Sequence, residues 1–519
     1  MDSAAPNPPL PAHTPSGPRE VELKLELAAG MLEDVLRHPA LANASASTDQ
    51  SGTLQATYFD TPDMALRGAG LSLRIRERTG RFVQTLKTDS DGQSLALNRG
   101  EWEWTVDGPD LDLEAVATTP LADFLAKIAS HDELKPVFVL ETNRRVFRLE
   151  KGDTLIEACL DQAEARAGSR NFPFAEVELE LKRGDAAALF SIASELQEHA
   201  RLRLSMTTKS ERGYRLIETP HTGAVKAHQV VVEPGMTSPE AFRVIARSCL
   251  SQIIRNEEIL RRTRSPASLH QMRVGVRRLK AAISFFEDML DDRESKAVIE
   301  RVRWIGKKLG HVRDIDVYAD ALKNSDEGWG RRALDEAERQ RAKAYKSLLR
   351  TFEKPRFMRA ILGLAAWIEA GRWHARRKAR LVAARELLAV DRAARELENR
   401  WVKIRKTSGE LGDMSDGKRH RLRIRIKELR YGLEFFTSTF VGEQAEQRQR
   451  EILSVLEDLQ DDLGKMNDLV VAKELFPGYA MGSHRTKGRM KKLLKRAKAA
   501  ALRLRKTEPF WEERAADVS

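Results

Sequence analysis

Glu20, Glu22 and Lys24 alternate with Val21, Leu23 and Leu25. The same two-residue spacing returns in Arg74-Ile-Arg76-Glu-Arg78, Glu101-Trp-Glu103 and Glu176-Val-Glu178-Leu-Glu180. In a strand, residues i, i+2 and i+4 point to one face, so each set shares a face, with apolar residues opposite. Two carboxylates so spaced lie about 7 Å apart along the strand and repel; a divalent cation removes that repulsion. Arg and Lys grip phosphate oxygens, and Glu and Asp hold Mg²⁺ or Mn²⁺ bound to the same phosphates. For one strand alone, the plain explanation is an antiparallel sheet with a wet, charged face. It weakens when one group of strands supplies glutamate pairs and another supplies Arg and Lys. If the sheet closes into a barrel, those faces line its interior. No Cys/His or Ser/His constellation, Walker A loop or Gly-rich dinucleotide loop accompanies them.

A second constellation is basic and occurs twice. His270, Arg273, Arg277 and Lys280 fall on one face of a helix at about 100° per residue, with Met272, Val276 and Leu279 on the apolar stripe. His420, Arg423, Lys427 and Arg430 repeat the layout 150 residues later, with Leu422, Ile426 and Leu429 as the stripe and Tyr431 beside the basic face. Phe285-Phe286 recurs as Phe435-Phe436, and Leu309-Gly310…Asp314 as Leu463-Gly464…Asp468. One such face is ordinarily a solvated side of a bundle helix. Recurrence in register, with few acids between, points instead to a polyanion counterpart.

The elements that must hold these residues differ along the chain. At 519 residues, with 41% hydrophobic and 32% charged, two or three domains with real cores are expected. The net charge of +12 is split: residues 1–220 hold 25 Lys+Arg and 35 Asp+Glu, giving −10. The remaining 64 and 42 give +22 for residues 221–519. Residues 1–18 read as a disordered tail, 19–218 as a strand-rich domain with helices near Met31–Arg37 and Ala186–Ala200, 219–236 as a Pro/Gly linker, and 237–519 as all-helical. With two cysteines, Cys159 and Cys249, there is no disulfide framework and no Cys-based zinc site. No secretory signal or membrane span is read, so a cytoplasmic protein without a membrane partner is expected. The basic run 485–506 is a candidate addition to the polyanion surface; no DNA- or RNA-reading motif accompanies it, and nucleic acid is not an expected partner.

Glu20-x-Glu22-x-Lys24 resembles the ExExK signature of the CYTH superfamily, the triphosphate tunnel metalloenzymes. Tyr58-Phe-Asp-Thr-Pro62, Leu73-Arg-Ile-Arg76, Leu86-Lys87, Glu101-Trp-Glu103, Thr142-Asn-Arg144, Glu157…Leu160-Asp161, Glu176-Val-Glu178 and Lys209-Ser-Glu-Arg-Gly-Tyr214 extend the likeness in order. The resemblance implies an eight-stranded antiparallel β-barrel forming a tunnel. It implies metal-dependent hydrolysis of a triphosphate, with inorganic triphosphate the best fit. Lys24, Arg74, Arg76, Lys87, Arg144 and Lys209 would bind phosphates. Glu20, Glu22, Glu176 and Glu178 would hold the metal, with the choice among Glu176, Glu178 and Glu180 open. Glu101, Glu103, Glu157 and Asp161 would take a second metal or position water. His270-x-x-Arg273…Arg277-Arg278 with Arg313-Asp314, and His420-x-x-Arg423…Lys427…Arg430-Tyr431 with Asn467-Asp468, resemble the CHAD domain. That likeness implies an all-α bundle of two related four-helix halves that binds inorganic polyphosphate, and association with polyphosphate granules. The whole is then a multidomain α+β chain. The competing reading is a non-catalytic polyphosphate-binding scaffold with a degenerate tunnel.

Overall fold

The structure, a computed structural model, describes residues 19–511 except 28–29, 90–94, 96, 129–132, 219–222, 324–330, 376 and 476–482. The expected tail, 1–18, lies outside the described residues, as do the first four residues of the expected linker. The chain divides into two compact units. The first holds the segment through Val225 together with Ser251–Leu269 and Leu349–Ala370; the second holds Lys226–Leu250, His270–Leu348 and the segment from Gly371.

The first unit is built on one antiparallel sheet with a few short helices. Its strands are β1 (Arg19–Leu27), β2 (Ser45–Ala46), β3 (Gly52–Asp60), β4 (Leu71–Arg78), β5 (Arg81–Thr88), β6 (Leu97–Val106), β7 (Lys135–Lys151), β8 (Thr154–Ala167), β9 (Arg170–Arg183) and β10 (Leu202–Ser205). Ten strands stand where eight are expected; β2 and β10, the short ones, have no alternating run long enough to announce them. The order is β10-β1-β6-β5-β4-β3-β7-β8-β9, with β2 on β7. β1 pairs with β6 over Arg19–Glu22 and with β9 over Glu22–Glu26. Leu23 and Leu25, the apolar face of β1, are fully buried. The helix Ala187–His199 covers β1 and β9 and packs in turn against the helix Pro355–Ala370. Glu22 and Lys24, on the opposite face, are each only 2% exposed. A strand buried on both faces with charge on one must satisfy that charge inside the protein.

The second unit is helical. Met272, Val276 and Leu279 are buried along the helix Pro266–Phe285, as are Leu422, Ile426 and Leu429 along Asp416–Phe435. The duplicated phenylalanines meet, with ring centroids of Phe285 and Phe436 5.9 Å apart and those of Phe286 and Phe436 6.3 Å apart. The helices Ala389–Ser408, Asp416–Phe435, Glu443–Leu475 and Ser483–Lys506 pack each on the next, and the last returns to the first.

Candidate active site and polyanion surface

Charged side chains of the sheet surround one cavity of about 420 Å³. Glu20, Glu22, Lys24, Arg74, Arg76, Lys87, Glu101, Glu103, Arg144, Glu157, Glu178 and Lys209 all line it. The charge is sorted by strand. Adjoining strands β8, β9, β1 and β6 carry Glu157, Glu178 and Glu180, Glu20 and Glu22, and Glu101 and Glu103, with Lys182 on β9 and Lys24 on β1 among them; strands β5, β4 and β7 carry Lys87, Arg74 and Arg76, and Arg144. Asp161 and Glu176 are not in the lining. They lie buried behind it, and with Glu178 they offer carboxylate oxygens within 4.8 Å of one another.

Cations of the chain already occupy that buried trio. Lys209 Nζ lies 2.8 Å from Asp161, 2.6 Å from Glu176 and 2.7 Å from Glu178. Arg144 forks onto Asp161 at 2.8 and 2.7 Å and reaches Glu178 at 3.0 Å. Lys24 bonds Glu178, and Glu22 at 3.0 Å. Burial opposes the charges of Lys24, Arg144, Asp161, Glu178 and Lys209, yet attraction by their partners wins. Glu178 is held well below the usual carboxylate range by Lys209, Lys24 and Arg144, and Asp161 is lowered by Arg144 and Lys209. Lys24 is raised by Glu178 and Glu22, and Lys209 by Asp161 and Glu176.

The acidic wall beside it has no such balance. Pairing places Glu180 of β9 directly opposite Glu22 of β1 and also opposite Glu157 of β8. Three carboxylates thus stand abreast on three neighbouring strands, an arrangement that repels. Lys182 reaches Glu180 at 2.6 Å and Glu157 at 3.8 Å. Even so, burial, with Glu20 and Glu157 adding, pushes the Glu180 carboxyl up to about 7. Burial and the neighbouring Glu20 also raise Glu101, although Lys87 contacts it at 2.7 Å and Glu20 at 2.8 Å. Surplus oxygen donors of this kind suit a hard divalent cation. Opposite, burial and Arg74 lower Arg76, which lies 3.5 Å from Glu103. Glu103 is lowered despite burial by Arg76 and Arg74. Arg74 donates to the Tyr58 hydroxyl at 3.3 Å. Arg78, Arg81 and Lys182 also line the cavity and are not among the site residues read from sequence; Glu180, left open there among the three glutamates of its strand, lines it too. Arg78 extends the Arg74, Arg76 alternation, and Glu180 and Lys182 extend that of Glu178, so period two itself was the available signal.

In the second unit, cations of both copies crowd together. Burial and then Arg313, Arg277, Arg273 and Lys427 push His270 down to about 4. Lys427 is pushed down to about 7 by burial, Arg277 and Arg423. Burial also lowers Arg273, Arg423 and Lys280. Arg273 meets Asp314 at 3.8 Å, and His420 Nδ1 lies 2.6 Å from Asn467 Oδ1. Arg430 lies 3.9 Å from Glu434 and 3.8 Å from Glu457, and burial raises Tyr431. The repeated Leu-Gly lies against the basic faces. A Cβ on Gly310 would lie 3.2 Å from Arg273 Nη1, and one on Gly464 3.5 Å from Arg423 Nε, so each glycine faces the arginine of its own copy.

Residues 18–214 match the CYTH domain family and residues 244–477 the CHAD domain family. An inorganic triphosphatase of Haemophilus influenzae is 29% identical over 199 residues, 38% of this chain and 55% of that protein, so the match spans about half of that relative's length. An uncharacterized protein of Mycobacterium tuberculosis is 25% identical over 496 residues, 90% of either chain. The crystal structure of the CHAD domain from the plant Ricinus communis covers 54% of this chain and 96% of its own at 26% identity, with a TM-score of 0.45.

Proposed function

In a chain that is a CYTH domain followed by a CHAD domain, we propose that the first domain is a tunnel hydrolysing inorganic triphosphate to phosphate and diphosphate with Mg²⁺ or Mn²⁺, and that the second binds inorganic polyphosphate. The observation that carries the reading is the sorting of opposite charge around one cavity of about 420 Å³. Pairing of β1 with both β6 and β9 supports a closed tunnel, and the likeness to a named inorganic triphosphatase supports the substrate.

Arg74, Arg76, Lys87 and Arg144 hold the phosphate oxygens and neutralise the charge that grows on the leaving phosphate. Lys24 and Lys209 exchange part of their carboxylate contacts for the same oxygens. Glu20, Glu22, Glu157 and Glu180 hold the cation, because that wall is in surplus of acid, whereas Asp161, Glu176 and Glu178 keep Lys209 and Arg144 in position. When bound, the metal supplies charge neutralisation and a positioned water for in-line attack. The basic faces of His270, Arg273, Arg277, Lys280 and Arg313, and of His420, Arg423, Lys427, Arg430 and Tyr431, form the polyphosphate surface of the second domain. Their supporting observation is the burial and crowding of cations that lower His270 to about 4 and Lys427 to about 7. Such a surface would place the protein on polyphosphate granules in the cytoplasm.

Phosphate release from tripolyphosphate is the test. Glu20→Ala plus Glu22→Ala is expected to lower kcat by about 100-fold or more, and equal release by the variant and the unmodified chain would remove the enzymatic reading.

A further inference from the structure

One end of the helix Ser238–Thr263 packs within the same compact unit as the sheet. Two of its residues, Arg255 and Glu258, hold the segment that delivers Lys209, and two more, Glu257 and Arg261, pair with the neighbouring strands. Glu258, 9% exposed, accepts hydrogen bonds from the Thr207 hydroxyl and from Arg215 Nη1, and Arg215 Nη2 donates to Thr207 Oγ1 at 3.3 Å. Burial would raise the Glu258 carboxyl, yet Arg215 and the Thr207 bond bring it down to about 2. One turn earlier, Arg255 lies 3.5 Å from Glu211. Glu211 closes a capping box with Thr208 at the start of the helix Lys209–Ile217. Glu257 pairs with Arg203 on β10, and Arg261 with Glu26 on β1 at 3.4 Å.

Thr207 precedes the cap, Glu211 is the third helical residue, and Lys209 is the first. The helix start is therefore gripped from outside on both sides of the residue whose ammonium sits among Asp161, Glu176 and Glu178. We infer that Glu258 is a positioning residue of the triphosphate site, acting through Thr207 and Arg215 on the cap that aims Lys209 into the cavity. The inference rests on the triphosphatase reading. It has a consequence for the chain's architecture: Glu258 falls inside the segment matched to the CHAD domain, so a fragment ending in the linker lacks a part of the tunnel's support.

The test is a double-mutant cycle in the full-length chain, comparing the unmodified protein, Glu258→Gln, Lys209→Met and the double variant. Rates are followed by phosphate release from tripolyphosphate and folding by circular dichroism. Glu258→Gln is expected to lower kcat/KM by about 10-fold or more while the far-ultraviolet spectrum stays unchanged. In the Lys209→Met background the same change has little further effect, because its route to the substrate is gone. Multiplying effects overturn the inference. Thr207→Val, which removes one hydroxyl and no charge, is the second variant; full activity from it, or losses that multiply with Lys209→Met, also overturns the inference. Absence of hydrolysis by the unmodified chain overturns the triphosphatase reading instead. The same four proteins then report coupling through tripolyphosphate binding by calorimetry, where additive losses again overturn the inference.

Discussion

Glu180 gives up its proton only near pH 7 because burial and two neighbouring glutamates oppose its charge. An acid whose folded value lies above its ordinary 4.5 adds stability at low pH. That contribution is lost as pH climbs from about 4.5 through 7, and above 7 the repulsion is fully present. A divalent cation bound by the same oxygens removes the repulsion. Thermal unfolding should therefore show a larger stabilisation by Mg²⁺ or Mn²⁺ at pH 8 than at pH 6. Glu180→Gln should raise the metal-free Tm at pH 8 by about 2–4 °C, the response to a change of about 1 kcal/mol, and shrink the metal effect. A metal effect independent of pH and of Glu180 would place the cation elsewhere. Lys427 is the mirror case, a base lowered to about 7 by burial and neighbouring arginines. A polyanion favours its charged form, so binding above pH 7 takes up a proton. Polyphosphate affinity, read by calorimetry, should fall from pH 6 to pH 8, and Lys427→Arg should flatten that fall because guanidinium keeps its charge.

At the scale of elements, the helix Lys209–Ile217 connects local sequence to the site. Its start is set by the Thr208–Glu211 capping box. Its seat on the sheet is set by Gly213, where an added Cβ would run into the Phe138 ring, itself stacked on Tyr58 with centroids 4.5 Å apart. Gly213→Ala should cost about 1–3 kcal/mol by overpacking, despite alanine's better helix propensity. Denaturant unfolding measures this, and a gain in stability would show that Phe138 yields freely. The capping box was present in the sequence as Thr-x-x-Glu, and so was the glycine. The reason for the glycine was not, since Phe138 lies on a strand 75 residues away.

At the scale of the whole molecule, an acidic-average domain precedes a strongly basic one, −10 against +22. Polyphosphate binding should therefore weaken steeply with salt, as counterion release demands of any polyanion complex. Arg273→Ala plus Arg423→Ala should lower affinity and flatten the salt dependence while the far-ultraviolet spectrum is unchanged. An unaltered salt slope would assign the binding to other cations, with the basic helix Ser483–Lys506 the next to test. Among the described residues no helix is long and apolar enough to cross a membrane.

Alternation along β1, β4 and β9, the twin basic helix faces and the doubled Leu-Gly are local patterns. Periods of 2 and 3.6 dictate which residues share a face whatever the neighbours are. The sequence alone therefore determined the strand-rich and helical parts, the buried stripes, and many of the charged side chains that line the cavity. It did not determine which strand lies beside which, because register is a long-range choice made by packing. Only the tertiary structure set Glu22, Glu180 and Glu157 abreast, withdrew Asp161 and Glu176 behind the lining, and brought Glu258 to the cap of the Lys209 helix. A carboxylate's chemistry follows from which charges it meets, and those meetings join residue 22 to 157 and 180, and residue 258 to 207 and 215, which no local pattern can bring together.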